Sequence, residues 1–301
     1  MATVTDPYEA LADLDFSKAR MRELLSRIGG FLAPGQRHIL GLDEVMAFIK
    51  PTSESYRGVI PVPVDHIVGS EGRYRDFARG FLPKHDHLRP RWVRVDLAHY
   101  KDITLPPIRL YELGGAYFVR DGNHRVSVAR MKGAVEIDAE VICLNSEIRI
   151  APDMTMEELK KAVTNYEKAQ FYASSRFGEI TGDYGLDFSS PGRYDEIMEH
   201  IATHKYFINE SSPTEISMED AIRSWYQTVY KPIADTIREE RLSQRFPGRT
   251  ASDLYAYIVK HWGVLKKRYG LQLPASVAAR DFSTRYGKGF WQRLKALFSG
   301  S

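Results

Sequence analysis

Asp121-Gly122-Asn123-His124-Arg125 gathers a carboxylate, a glycine, a carboxamide, an imidazole and a guanidinium into five consecutive positions. Before it, Ala116-Tyr117-Phe118-Val119 reads as a strand. After it, Val126, Val128, Ala129 and Met131 give a helix its buried side. The five residues therefore fall where a strand turns into a helix. Unpaired backbone N–H groups and the positive end of the helix dipole converge at such a start, and Gly122 omits a side chain that would block an approaching anion. Phosphate is the anion that suits the turn. The amides of Gly122 and Asn123 line it, Arg125 offers a planar fork for phosphate oxygens, and His124 adds a donor able to carry a proton near neutral pH. Asp121 would hold a magnesium ion or order the turn. The plainer alternative has Asp121 capping the helix, with His124 and Arg125 as surface residues.

A second cluster is Val68-Gly69-Ser70-Glu71-Gly72-Arg73, followed by helical spacing from Arg73 to Phe81. Two glycines around Ser-Glu allow a tight backbone, and a helix start there again favours an anion, which makes Ser70 and Arg73 further phosphate contacts. The plainer reading is that Ser70 caps this helix and Glu71 favours its first turn. From Arg73 to Arg94 the chain is locally basic, with Tyr74, Phe77, Phe81 and Trp92 interleaved. Such a stretch clamps phosphates and stacks bases in single-strand binders, and it equally describes a solvated face with the aromatics turned inward. Glu196, His200 and His204 share a helix face at ligand spacing, though such histidines more often make ordinary contacts. Lys288 to Phe298 is a basic amphipathic segment that suits an anionic membrane, its own domain or a second protomer.

The elements that must carry these groups are an N-terminal helical arm (residues 1–55), a mixed α/β domain (56–150) and an all-α domain (151–301). In the arm, Met21, Leu24, Leu25 and Ile28 give helical spacing over Phe16 to Phe31, and a short helix follows from Asp43 to Ile49. The breaker-rich Pro51 to Ser55 marks a boundary before a strand over Val59 to Val64. Two more strands, Pro107 to Leu113 and Ala116 to Val119, flank Gly114-Gly115. A helix over Asn123 to Lys132 stops at Gly133, and a last strand covers Ile137 to Leu144. Beyond Pro152 helices are expected at Thr155 to Ser174, Tyr194 to His204, Met218 to Arg245, Ala251 to Arg268, Ala275 to Arg285 and Phe290 to Phe298. The fold class is α+β.

A chain of 301 residues with 43% hydrophobic content can bury a core for each domain. Its apolar runs are far shorter than the ~18 residues of a membrane helix, and Met1 to Phe16 lacks a basic-then-apolar leader, so a cytoplasmic protein is expected. The single cysteine, Cys143, excludes an intramolecular disulfide and a multi-thiolate zinc site. A net charge of +3 permits anionic partners without demanding nucleic acid.

The segment from Leu105-Pro106-Pro107-Ile108 through Tyr117-Phe118-Val119, Asp121 to Arg125 and Ile137-Asp138-Ala139 resembles the core of the ParB/sulfiredoxin superfamily. That superfamily includes ParB N-terminal domains, sulfiredoxins and free serine kinases, and residues 56–145 look like its nucleotide-handling domain. The resemblance implies that the turn binds nucleotide phosphates and that the superfamily's His-Arg pair falls on His124 and Arg125. It also implies that Glu71, nearest to the acidic residue of an early loop in the serine kinases, serves the reacting hydroxyl. Two departures narrow it. Asn123 stands where sulfiredoxins need a nucleophilic cysteine, and Thr155 to Ser174 reads as one continuous helix where chromosome-partitioning proteins carry a helix-turn-helix. The helical domain is similar to the uncharacterised partner found beside some ParB-like domains.

The expectation is a nucleotide-binding (ATP, ADP or CTP), magnesium-dependent phosphotransferase of serine-kinase type acting on a small hydroxylated acceptor. Glu71, Asp121 and His124 would serve catalysis, and Ser70, Arg73, Gly122, Asn123, His124 and Arg125 the phosphates. The competing reading is a nucleotide-responsive regulator or ParB-like DNA-binding protein, with a homodimer compatible with either.

Overall fold

The computed structural model describes residues 6–29, 38–210 and 212–269. The expected helices at Ala275 to Arg285 and Phe290 to Phe298, and with them the basic segment from Lys288, lie outside the described residues. The chain divides into two compact units, Met1–Val163 and Thr164–Ser301, and the class is α+β.

The first unit is built on a mixed sheet of six strands among the described residues, in the order β1-β3-β7-β6-β8-β2. These are β1 (Leu40–Gly41), β2 (Ser53–Pro63), β3 (Ile67–Ser70), β6 (Ile108–Leu113), β7 (Ala116–Asp121) and β8 (Glu136–Asn145). β1, β3 and β7 run parallel, β6 and β7 form an antiparallel hairpin, and β8 lies parallel to β6 and antiparallel to β2. Alternation along the strands sends side chains to two cores. Leu110, Val119 and Val141 join Phe16, Phe77, Trp92 and Val126 on one face. Leu113, Phe118 and Leu144 join Leu42, Val45 and Leu159 on the other. Gly69 is required in β3, because a Cβ there would lie 2.3 Å from the Leu40 carbonyl and 2.5 Å from the Phe118 ring.

The first core is covered by α1 (Pro7–Gly29), α3 (Arg89–Tyr100) and α4 (Asn123–Lys132), while α2 (Leu42–Met46) follows β1. The α4 helix has the bounds that periodicity predicts, and Gly133 closes it at φ 73°. Several other expectations need correction. α1 begins at Pro7, and its buried stripe is Ala12, Phe16, Ala19 and Glu23, whereas Met21, Leu24 and Leu25 face outward. Pro51 to Ser55 is no linker, since β2 starts at Ser53. As a sheet edge exposed over most of its length, that strand tolerates the charged and proline residues that hid it.

No α-helix forms over Arg73 to Phe81. A turn leads into β4 (Phe77–Ala78), a 3-10 turn and β5 (Leu82–Pro83), with Gly80 at φ 77° reversing the chain. The four-residue interval between Phe77 and Phe81, which mimics helix, instead buries both rings in a small hairpin. The basic stretch that follows contains α3, with Pro90 in its first turn.

The second unit is helical: α6 (Phe177–Thr181), α7 (Arg193–Glu210), α8 (Met218–Trp225), α9 (Lys231–Glu239), α10 (Leu242–Arg245) and α11 (Ala251–Tyr269), preceded by the end of α5 (Met156–Ser175). Its core centres on Phe177, Trp225, Tyr230 and Tyr255. The single helix expected over Met218 to Arg245 is interrupted by a π-helical turn at Tyr226–Tyr230, and Arg241 at φ 50° breaks it again. No helix among the described residues is long and apolar enough to cross a membrane.

Candidate functional site

Because β1, β3 and β7 are adjacent and parallel, their C-terminal ends emerge on the same sheet edge, the usual place for ligands in such sheets. They deliver Asp43, Glu71 to Arg73 and Arg120 to Arg125 to a cleft of about 400 Å³, to which α3 adds Arg91 and Val95. The two sequence clusters, some fifty positions apart, thus form one site. Asp43, Arg91, Val95 and Arg120 were not expected there. The sequence signal for Arg91 was its place beside Trp92 in the basic stretch and for Arg120 its place directly before Asp121, and for Asp43 and Val95 there was none.

Gly122 turns β7 into α4 at φ 114°, and a Cβ on it would lie 2.4 Å from Ile108 Cγ2. The glycine is thus demanded by packing against β6, a stronger reason than clearing a path for an anion. No side chain caps α4, whose first intrahelical hydrogen bond is donated by Val126 N–H to the Gly122 carbonyl at 3.0 Å. The preceding amides therefore begin the helix without a side-chain acceptor. Beside them Asn123 and His124 are 6% and 4% exposed, and Asn123 Oδ1 and His124 Nδ1 have no hydrogen-bond partner among the described residues.

His124 stands edge-on to Phe77 with ring centroids 5.6 Å apart, and its Nε2 lies 3.3 Å from Nη1 of Arg73. Burial, reinforced by the positive charges of Arg73 and Arg91, pushes the imidazole down to about 4, so it is neutral at pH 7. This corrects the expectation of a proton carrier near neutrality. Arginine can only donate, so Nε2 accepts and the proton sits on Nδ1, leaving a buried N–H donor without an acceptor.

Arg125 is engaged elsewhere. Its guanidinium donates to the carbonyls of Pro106 and Pro107, the latter at 3.2 Å, and to Asp121 Oδ2 at 2.7 Å. The residues expected to hold phosphate and magnesium thus hold each other, one turn apart, and tie down the Pro106-Pro107 segment. Ser70 is fully buried, its hydroxyl donating to the Val119 carbonyl at 3.2 Å and accepting from Arg73 N–H at 3.3 Å, so it shapes the turn. Glu71 N–H donates to the same Val119 carbonyl at 3.0 Å, and the half-buried side chain forms no ion pair among the described residues. Since no helix starts at Arg73, its role as a helix-start residue falls away. Arg73 pairs with Asp76 at 2.8 Å while reaching His124.

Charge in the cleft is mixed. Arg73, Arg91 and Arg120 face Asp43, Glu71 and the Asp121–Arg125 pair, and Arg91 has no ion pair among the described residues. The orphaned His124 Nδ1–H donor beside an uncapped helix start suits an anionic ligand with several oxygens, whereas Asn123 Oδ1, an acceptor, suits a donor group. No group of three or more carboxylate, imidazole or thiol side chains suited to a metal ion occurs among the described residues. The donor set fits a magnesium ion brought in with a polyphosphate, which needs one or two carboxylates only.

Other sequence signals resolve as packing. Trp92 is fully buried with its N–H donating to Ser127 Oγ at 2.8 Å, so it offers no face for base stacking. His200 Nδ1 lies 3.3 Å from the Tyr255 hydroxyl, His204 Nε2 lies 3.0 Å from Ser224 Oγ, and Glu196 pairs with Arg193. Cys143 is buried and free. Comparisons of the chain with models of protein families, with curated proteins and with solved structures gave no match.

Proposed function

We propose that the cleft binds the phosphates of a nucleoside di- or triphosphate and transfers a phosphoryl group to a small hydroxylated acceptor. The observation that carries this reading is the uncapped start of α4, with the Nδ1–H of His124, unpartnered among the described residues, in a cleft also lined by Arg73 and Arg91. The resemblance of Asp121 to Arg125 to the phosphate turn of the ParB/sulfiredoxin superfamily supports it, as does the ligand-binding edge of the sheet.

Arg73, Arg91 and Arg120 oppose the charge of the polyphosphate, and the α4 amides with the His124 Nδ1–H donate to its oxygens. Arg125 holds the turn from behind. Glu71, free of an ion pair, accepts the proton of the acceptor hydroxyl as its oxygen takes up the phosphoryl group, and the nucleotide leaves with one phosphate fewer. Magnesium, when bound, supplies charge neutralisation between phosphates, with Asp121 the carboxylate at the turn.

A second reading, a nucleotide-responsive regulator, is favoured by the far end of α4. There Lys132 lies 2.8 Å from Asp15 of α1 and 3.1 Å from Asp96 of α3, so the helix that begins at the phosphate turn also pins the arm. Calorimetric titration with each common nucleotide, followed by mass spectrometry of a nucleotide and metabolite mixture, separates the two readings. Heat with a phosphorylated product supports the enzyme, heat without product supports the regulator, and no heat for any nucleotide removes both.

A further inference from the structure

Among the described residues, the outer face of α1 is unpartnered and patterned. The inner stripe, Ala12, Phe16 and Ala19, packs on the sheet unit, with Phe16 edge-on to Trp92 at 5.6 Å. On the opposite side Leu11, Leu14, Met21 and Leu25 are 43, 57, 57 and 59% exposed. With Lys18, these residues recur at intervals of three and four, the a and d positions of a heptad repeat, which stack into one seam along a helix about 35 Å long. An apolar strip, interrupted only by Lys18, on a helix already anchored by its other face marks an interaction surface.

We propose that this seam pairs with the same seam of a second copy of the chain, the two α1 helices running antiparallel. Charge decides both the partner and the direction. The first half of α1 carries Glu9, Asp13 and Asp15 and no base, and the second half carries Lys18, Arg20, Arg22 and Arg27 against Glu23. Asp13, Asp15 and Arg20 pair with Arg89, Lys132 and Asp86 of their own chain, so the contrast rests mainly on Glu9 at one end and Arg22 and Arg27 at the other. Antiparallel helices lay each acidic half beside the other copy's basic half, whereas parallel helices oppose like charges. In the antiparallel register a and d positions share layers, so Leu14 of one copy meets Leu25 of the other and Lys18 meets Met21. Lys18, 65% exposed and held 2.9 Å from Asp15, is the single charge in the seam, a device that fixes register at some loss of stability.

Sedimentation equilibrium of the full chain tests this. The expected result is a concentration-dependent dimer that weakens with salt and is lost in the double variant Leu14→Glu, Leu25→Glu with its helical circular dichroism unchanged. Direction is read separately from introduced cysteines, which the buried Cys143 leaves undisturbed. A mixture of Leu14→Cys and Leu25→Cys chains should form the mixed disulfide under mild oxidation, and neither variant should cross-link with itself. A monomer at every concentration overturns the proposal, including a monomer whose seam is covered by a segment of its own chain. So does a dimer that survives the double glutamate variant, or one in which Leu14→Cys cross-links to itself. Should the glutamate variant fail to fold, the cysteine pair alone decides.

Discussion

Nε2 of His124 accepts a hydrogen bond from Nη1 of Arg73 at 3.3 Å, which joins the turn after β3 to the turn after β7. Burial resists protonation of the imidazole, and the neighbouring positive charges of Arg73 and Arg91 add to that resistance.

The first prediction concerns pH. His124 has a folded value of about 4 against 6.5 when exposed, so the unfolded chain binds more protons between those values. Its contribution therefore falls as pH drops from 6.5 towards 4 and reaches roughly 3 kcal/mol of lost stability near pH 4, at about 1.4 kcal/mol per pKa unit. Denaturant unfolding of the parent and of His124→Gln across this window should diverge, with the parent losing more on acidification. Parallel curves would return His124 to an ordinary value.

Arg91 and Arg125 should separate binding from folding. Arg91→Ala removes a cleft charge that has no ion pair among the described residues, so nucleotide affinity should fall about tenfold or more while stability changes by less than ~0.5 kcal/mol. Arg125→Ala leaves Asp121 and the two proline carbonyls without their donor and should cost about 2 kcal/mol of stability. Calorimetry and denaturant midpoints on both variants check the contrast, and an affinity loss confined to Arg125→Ala would reverse the assignment.

Glu71→Gln preserves shape and hydrogen bonding but cannot take a proton. Nucleotide affinity should persist while product formation falls by about two to four orders of magnitude. If a phosphorylated product is made by the parent, unchanged turnover in this variant would exclude Glu71 as the base.

Lys132 is the test of the far end of α4. Its ammonium lies 3.1 Å from Asp96 and neutralises it, a fully buried carboxylate whose pKa burial raises. Lys132→Met should cost about 3 kcal/mol or more at neutral pH by leaving that charge unpaired. The loss should shrink in acid, where a protonated Asp96 needs no cation. Thermal melts at pH 5 and pH 8 measure it, and an equal loss at both would deny Asp96 its part.

By itself the sequence determined the strand-to-helix turn at Asp121 to Asn123, the bounds of α4, the hairpin at Gly114-Gly115 and the helical character of the described residues after Pro152. These are local matters of period, glycine placement and strand-forming runs, and each is written within a dozen or so neighbouring residues. Tertiary structure decided which groups are free to act. Arg125 looked like the phosphate fork until the carbonyls of Pro106 and Pro107, some eighteen residues upstream, claimed its guanidinium. Ser70 was lost to the Val119 carbonyl of a neighbouring strand, and Arg91 was gained from a helix whose buried Trp92 fixes its rotation. The same holds for α1, where spacing identified Met21 and Leu25 but only packing of Phe16 against Trp92 showed that they face outward. Periodicity tells how side chains cluster around an element. Which cluster turns inward, and which polar atom keeps a vacancy, depends on contacts between segments far apart in the chain.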